Sequence, residues 1–143
     1  MDKSNILRII FGLFYLAAAV FNFTYTLRHP QQLRLFYDSF AENALIPFYK
    51  DFILSVVVPN SDLIILMVVV FEIVVGILIL SKRIFVKVGL SLGILWTLFF
   101  VPILAVGPPM LTNLILASLQ VFLLKKEYDK SFLEILRSKF HSK

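Results

Sequence analysis

The sequence predicts an all-α integral membrane protein that folds as a four-transmembrane-helix bundle. Two observations predict this class: the composition is strongly apolar, and four long apolar runs recur along the chain. Of the 143 residues, 59% are hydrophobic and 16% are charged, and the mean hydropathy is +0.90. A soluble domain is only about 45–50% apolar and about one quarter charged. Because no polar linker separates the runs, we expect a single membrane domain over residues 1–143.

The four apolar runs have the length that a transmembrane helix needs, which is about 20 residues at a rise of about 1.5 Å per residue. They cover residues 6–27, 62–80, 84–106 and 109–124. Gly107, Pro108 and Pro109 predict a tight turn between the third and fourth runs. These two runs are therefore expected to form a helical hairpin.

Two segments outside the runs also show helical periodicity. Residues 31–58 are predicted to form one or two short helices that either lie at the outer interface or cap the bundle. Their apolar residues fall at helical spacing: Leu33, Phe36, Tyr37, Phe40, Phe48, Phe52 and Val56. The tail, residues 125–143, is predicted to form an amphipathic helix with Tyr128, Phe132, Ile135, Leu136 and Phe140 on one face. Such a basic helix either anchors the cytoplasmic end at the membrane surface or docks a soluble partner.

Lysine and arginine are distributed unequally between the two sides that four spans define. Eleven lie on the side of the termini and of the loop after the second run, whereas three lie on the other: Arg28, Arg34 and Lys50. The positive-inside rule then puts both termini in the cytoplasm. We expect the net charge of +5 to contact anionic membrane lipids rather than nucleic acid. The predicted location is the cytoplasmic membrane of a bacterium or archaeon.

The chain lacks several residues that redox and metal chemistry needs. It has no cysteine, which excludes a thiol relay, a disulfide and a thiolate metal site. Its two histidines, His29 and His141, are predicted on opposite sides of the membrane and outside the runs, which excludes a haem held between intramembrane histidines. We therefore predict no metal site, no catalytic residue and no intrinsic cofactor.

Glu72 lies near the middle of the second run, in VVVFEIVVGILIL (68–80). A charged side chain there costs about 2.5–3.5 kcal/mol on lenient insertion scales. Four other side chains fall within about 3 Å of the same depth by rise counting: Tyr15, Trp96, Thr97 and Gln120. In one hypothesis Glu72 is neutral and joins the helices through a hydrogen bond. In the other it carries a proton or hydrogen-bonds a ligand such as a quinone headgroup.

A second polar level is predicted nearer the outer face. It contains Asn22 and Tyr25 on the first run and Asn113 on the fourth. Either Asn22 and Asn113 bond one another, or these side chains line an outward-facing pocket for a quinone or lipid. The small residues from Gly12 to Ala19 are a predicted contact surface for another membrane subunit, because small side chains let helices approach closely.

Three segments resemble a known family in their order and spacing. They are RIIFGLFYLAAAVFNF (8–23), PFYKDFILSVVVPN (47–60) and FEIVVGILIL (71–80). They resemble the DoxX family, which includes the DoxD-like membrane subunit of thiosulfate:quinone oxidoreductase. The matching positions are Arg8, Gly12, Pro47, Tyr49, Val58, Pro59, Asn60, Glu72 and Gly76. The chain departs from the pattern at Ala19 and Asn22, where members often have a glycine and then a histidine or lysine.

The resemblance implies a four-helix membrane bundle and, for some members, a place in a membrane oxidoreductase complex. Three functions remain open. The first is a membrane subunit or anchor that is not catalytic by itself and that binds other membrane or soluble subunits. The second is a quinone-interacting subunit that uses Glu72, and the third is a small proton or ion conduit.

Overall fold

The computed structural model describes residues 2–24, 26–104 and 107–140. Within these residues the chain forms seven α-helices and no strand, which confirms the all-α prediction. The helices are α1 (Lys3–Thr24), α2 (Pro30–Asn43), α3 (Pro47–Phe52), α4 (Ser61–Leu80), α5 (Ile84–Phe100), α6 (Pro108–Leu124) and α7 (Phe132–Phe140). A 3₁₀ turn, Thr26–Arg28, joins α1 to α2, and a π-helical turn, Ile53–Val57, follows α3.

The four longest helices pack side by side, α1 against α4, α4 against α5, and α5 against α6. Their shared core contains Phe11, Tyr15, Val75, Ile79, Val86, Leu90, Leu123 and Tyr128. We call the end at which α1 starts and α6 stops the tail end. The opposite end, where α1 stops and α4 starts, is the cap end.

Two glycines allow α1 and α4 to pack closely. A Cβ atom built on Gly76 would lie 3.0 Å from the carbonyl oxygen of Gly12 and 2.8 Å from the Leu16 side chain. A Cβ on Gly12 would lie 3.3 Å from the carbonyl oxygen of Gly76. A larger residue at either position would push the helices apart, so the glycines set the distance between them.

In two of the predicted runs, the α-helix ends before the apolar sequence does. The first run, residues 6–27, is α-helical only to Thr24, where the 3₁₀ turn takes over at Thr26. The third run, residues 84–106, is helical only to Phe100. Pro102 explains this second end, because proline has no N–H for the helix and its ring clashes with the carbonyl group four residues earlier. Residues 105 and 106 lie outside the described residues.

Residues 30–57 form short helices that cover the cap end, and we call this segment the cap. Its apolar core contains Leu33, Tyr37, Ala41, Ile53, Val57, Ile65 and Ile103. The Phe40 and Phe100 rings lie 5.8 Å apart, and the N–H of Leu45 donates to the carbonyl oxygen of Pro102 at 2.9 Å. Short helices thus occupy the predicted segment between the first two runs, and they pack on the end of α5.

The start of α7 is fixed by one carboxylate. The N–H of Ser131 donates to Glu134 Oε2 at 2.7 Å, and the N–H of Glu134 donates to Ser131 Oγ at 3.3 Å. This reciprocal pair is a capping box. Lys82 Nζ lies 2.6 Å from Glu134 Oε1 and ties α7 to the turn between α4 and α5. The Lys82 hydrogen bond, together with those from Ser131, lowers the pKa of Glu134 from 4.5 to about 2.

We expect acid to detach α7 from the turn between α4 and α5. Because the folded-state pKa of Glu134 is depressed, its contribution is present above pH 4.5 and is lost as the pH falls through about 2. A spin label on Leu133→Cys should therefore become more mobile over this interval. Glu134→Gln should remove the transition and leave the label mobile at every pH. Unchanged mobility of the unmodified chain down to pH 2 would contradict this role.

Candidate functional site

Glu72 and Asn22 form a buried carboxyl–amide pair between α4 and α1. Nδ2 of Asn22 donates hydrogen bonds to both carboxyl oxygens of Glu72, at 3.1 and 2.9 Å. The hydroxyl of Thr26 donates in turn to Asn22 Oδ1 at 3.2 Å. Glu72 is 7% exposed, whereas Asn22 is half-buried. The three side chains therefore form a polar chain that leads from the middle of α4 toward the cap end.

The direction of helical side chains explains why this pair forms. Gly12 and Gly76 face each other. Asn22 is ten residues from Gly12, and Glu72 is four residues from Gly76. At a rise of about 1.5 Å per residue, their backbones are therefore separated by about 9 Å along the helix axes. Side chains on a helix lean toward its N-terminus. Since α1 and α4 run in opposite directions, Glu72 leans toward the cap end and Asn22 leans toward the tail end, and the two meet.

A cleft of about 240 Å³ opens beside Asn22 at the cap end. It lies between the end of α1, the 3₁₀ turn, α2 and the first half of α4. Four polar side chains line it: Asn22, Thr26, His29 and Gln32. Three aromatic rings also line it: Phe21, Phe36 and Tyr37. The volume falls just below the range of about 300–1,000 Å³ that is common for drug-sized ligands, so it suits one ring or headgroup.

Tyr37 supplies a hydroxyl group that stays protonated at physiological pH. Its side chain is buried in the core of the cap, and burial raises its pKa to about 12. A neutral phenol is both a donor and an acceptor. Tyr37 also lines the cleft, so this part of the wall carries no negative charge at physiological pH.

Two other residues, Tyr25 and Asn113, were predicted at the outer level. Tyr25 lies outside the described residues. Asn113 donates from Nδ2 to the carbonyl oxygen of Pro109 at 3.0 Å, within its own helix. The alternative in which Asn22 and Asn113 bond one another is therefore wrong, because each amide has a different partner. The cleft at the cap end is lined by Asn22 and not by Asn113.

Three of the side chains predicted at the depth of Glu72 meet at Gly93. The Tyr15 hydroxyl donates to the Gly93 carbonyl oxygen at 3.3 Å, and Thr97 Oγ1 donates to the same oxygen at 2.8 Å. Gln120 Nε2 donates to Thr97 Oγ1 at 3.4 Å. Gly93 makes this contact possible, because a Cβ there would collide with the Gln120 and Tyr15 side chains. This cluster joins α1, α5 and α6 without a hydrogen bond to Glu72 in the described residues.

Trp96, the fifth residue predicted at that depth, belongs to an aromatic contact. Its ring lies 4.7 Å from Phe71 on α4 and 4.9 Å from Phe100 on α5. It therefore supports the packing of α4 against α5 through aromatic contacts. Within the described part of the chain, no group of three or more histidine, aspartate or glutamate side chains is arranged to hold a metal ion.

Arg8 is a buried residue whose importance the apolar pattern did not reveal. The side chain is 0% exposed. Its two terminal nitrogens donate to the carbonyl oxygens of Ser81 at 2.9 Å and Lys130 at 3.1 Å. The only signal in the sequence is an isolated arginine inside an apolar run, which also belongs to the DoxX-like pattern.

Comparison with known proteins finds no family model, no curated protein and no solved structure that matches the chain. The geometry of the site therefore carries the argument about function. The pair of Glu72 and Asn22 joins two helices in the bundle interior, and the same Asn22 lines the cleft. A molecule in this cleft would touch a side chain that a buried carboxyl group holds in place.

Proposed function

We propose that the chain is a four-span integral membrane subunit that binds an amphipathic small molecule, of the quinone class, in the cap-end cleft. The observation that carries this proposal is the position of Asn22, which lines the cleft and is held by buried Glu72. In this role Glu72 is a positioning residue. In this proposal the chain is not catalytic by itself, and thiol-based electron transfer would need a partner chain with cysteine.

The exposure of the apolar helices supports a place in the membrane. Among the described helices, α1 and α4 are long and apolar enough to cross a bilayer, and only 33% of the apolar window of each is buried. A core helix of a soluble protein would be mostly buried. Outward side chains such as Phe14, Val70 and Leu95 are 57%, 61% and 66% exposed. Lipid is the solvent that suits such a surface.

The lengths and ends of α5 and α6 support four spans instead of two. Each helix has 17 residues, which is about 26 Å of helix and the lower end of the transmembrane range. At the tail end, the N–H of Arg83 donates to the Tyr128 carbonyl oxygen at 2.6 Å. At the cap end, the carbonyl oxygen of Pro102, which follows α5, accepts a hydrogen bond from the N–H of Leu45 in the cap. The α5–α6 hairpin thus has contacts at both ends of the bundle, which supports two further spans.

The charge distribution supports an orientation with the tail end in the cytoplasm. Eleven lysines and arginines lie on the tail-end side of the four-span topology and three on the cap-end side. The cleft then opens on the outer side of the membrane. The resemblance of residues 8–80 to the DoxX family agrees with this topology and with a role in a membrane oxidoreductase assembly.

The lining of the cleft supports a ligand with a polar ring and an apolar tail. A quinone head carries two carbonyl acceptors on one ring, and its polar edge suits a wall that carries polar side chains beside aromatic rings. The Phe21 and Phe36 rings suit the faces of such a head. Phe21 is also 57% exposed on α1, so an apolar tail would leave the cleft along lipid-facing surface.

We expect Asn22→Leu to weaken quinone binding at least tenfold, a loss of about 1.4 kcal/mol. The leucine removes the amide from the cleft wall and separates the cleft from Glu72. The measurement is photo-crosslinking of purified protein in nanodiscs with a short-chain photoreactive quinone, titrated against the unmodified quinone. Crosslinks should map to residues 21–37.

The matched control is Asn113→Leu, the same substitution at an amide that bonds its own helix. It should bind the probe as the unmodified chain does. Equal binding by Asn22→Leu and by the unmodified chain would overturn the proposal, as would crosslinks confined to residues outside the cleft.

A further inference from the structure

Arg8 holds the segment that follows α6 against the tail end of the bundle. We call this segment, residues 125–131, the strap. Both terminal nitrogens of the guanidinium group donate to carbonyl oxygens, one on Ser81 and one on Lys130, which are 73 and 122 residues away in the chain. The guanidinium carbon also lies 4.7 Å from the centre of the Tyr128 ring. One side chain therefore joins α1, the end of α4 and the strap.

The partners of Arg8 suit a buried cation. Ser81 follows the last residue of α4, where free carbonyl groups carry the negative end of the helix dipole. The Tyr128 ring adds a cation–π contact. Tyr128 is fixed independently, because its hydroxyl donates to the Leu123 carbonyl oxygen at 3.0 Å and its own carbonyl accepts from Arg83. The strap is therefore part of the folded bundle.

The strap fixes the position of α7, which begins immediately after it. The ion pair between Lys82 and Glu134 holds the first turn of α7 at the tail end. Leu133 and Leu136 nevertheless remain 65% and 36% exposed. A rigid attachment thus presents an apolar face that the bundle leaves uncovered.

Exposed cations precede this apolar face in the chain. Lys125, Lys126 and Lys130 on the strap are all exposed, as are the carboxylates Glu127 and Asp129, of which Glu127 pairs with Lys87 at 2.6 Å. The apolar surface of α6 extends to Phe122, which is 49% exposed, and Lys126 Nζ lies 5.1 Å from the centre of its ring. A lysine that lays its stem on an apolar surface and keeps its ammonium group at the edge is typical of a membrane boundary.

We propose that the strap and α7 form a docking surface for anionic phospholipid, locked in place by Arg8. The exposed leucines of α7 enter the boundary between headgroups and acyl chains, and the strap lysines contact the lipid phosphates. Charge complementarity and the continuous apolar surface of α6 favour lipid over a soluble protein as the occupant. This inference rests on the four-span placement proposed above.

The test uses depth-dependent quenching of single fluorophores, because the chain has no native cysteine. Leu133→Cys is labelled and placed in nanodiscs of phosphatidylcholine or of an equimolar mixture with phosphatidylglycerol. We expect spin-labelled lipid to quench the label in the anionic nanodiscs at least threefold more than in the zwitterionic ones. A label on Ser138→Cys, on the other side of α7, should be quenched by aqueous iodide in both.

A label on Ile77→Cys separates the two proposals. Ile77 is 55% exposed on α4, so spin-labelled lipid should quench it in either nanodisc. If it does not, the membrane placement itself fails. If Ile77 is quenched and Leu133 is reached only by iodide, the docking surface alone is wrong. Equal lipid quenching of Leu133 in both nanodiscs would overturn the preference for anionic lipid.

Arg8→Lys tests whether Arg8 holds the strap in place. Lysine keeps the positive charge but cannot donate from two terminal nitrogens to both carbonyl oxygens. We expect it to reduce lipid quenching at Leu133 at least threefold while Ile77 keeps its quenching. Tyr128→Leu, which removes the ring and the hydroxyl, should have the same effect. Lys3→Gln is the control for charge at the same end and should change neither label. Unchanged Leu133 quenching in both Arg8→Lys and Tyr128→Leu would show that Arg8 does not lock the strap.

Discussion

Gly89→Ala is expected to destabilise the bundle by about 3 kcal/mol, at the upper end of the cost of overpacking. A Cβ atom at this position would lie 2.8 Å from the backbone nitrogen of Ile79 and 2.8 Å from Leu78 Cβ. Backbone cannot rotate away as a flexible side chain does, so α4 and α5 must separate. Separation would expose Leu90 and Val75, which are completely buried.

The single tryptophan reports this change directly. Trp96 lies 4.7 Å from Phe71 across the same helix pair, so its fluorescence follows the separation of α4 and α5 during unfolding in mixed micelles. Ser91→Ala, an exposed site on the outward face of α5, is the control and should shift the free energy of unfolding little. Equal stability of Gly89→Ala and the unmodified chain would show that these helices are less tightly packed than described.

Glu72→Leu is expected to cost about 1–3 kcal/mol of stability, because it leaves the half-buried amide of Asn22 without its acceptor. Glu72→Gln should keep the fold, since its carbonyl oxygen can still accept from Asn22 and its shape is nearly the same. The same unfolding assay measures both. Quinone binding should be weakened by leucine and retained by glutamine if Glu72 acts by positioning Asn22.

A double-mutant cycle isolates the pair. Combining Glu72→Leu with Asn22→Leu removes both polar partners, so the double variant should be less destabilised than the sum of the single variants. Additive losses would show that the two side chains do not depend on one another. If Glu72→Gln folds and assembles but does not support activity of the assembly, the carboxyl group carries a proton in addition to positioning Asn22.

The helices could be predicted from the sequence because each depends on local pattern. Apolar periodicity located α2, α3 and α7 outside the long runs, and the turn at Gly107 separated α5 from α6. The end of α5 was missed because Pro102 stops a helix inside a run that stays apolar. Hydropathy alone does not register such a break.

The site was predicted only in part, because depth counting treats side chains as lying level with their backbone. Glu72 was singled out from the sequence, and it is one of the two buried polar side chains of α4, with Ser61. Its partner Asn22 was placed at a different level, since the counting ignores the lean of side chains toward the helix N-terminus. The role of Arg8 depends on carbonyl groups 73 and 122 residues away, and no local pattern contains that information.

The central claim, four spans with the cleft outside, is tested most directly by labelling cysteines in intact cells with an impermeant maleimide. The three sites are Ser39, Pro109 and Ser138, all exposed in the structure. We predict that cysteines at Ser39 and Pro109 react, and that a cysteine at Ser138 reacts only after permeabilisation. Protection of Pro109 with labelling of Ser39 would leave α1 and α4 as the spans and contradict the four-span bundle. Labelling of Ser138 with protection of Ser39 would reverse the orientation and put the cleft in the cytoplasm.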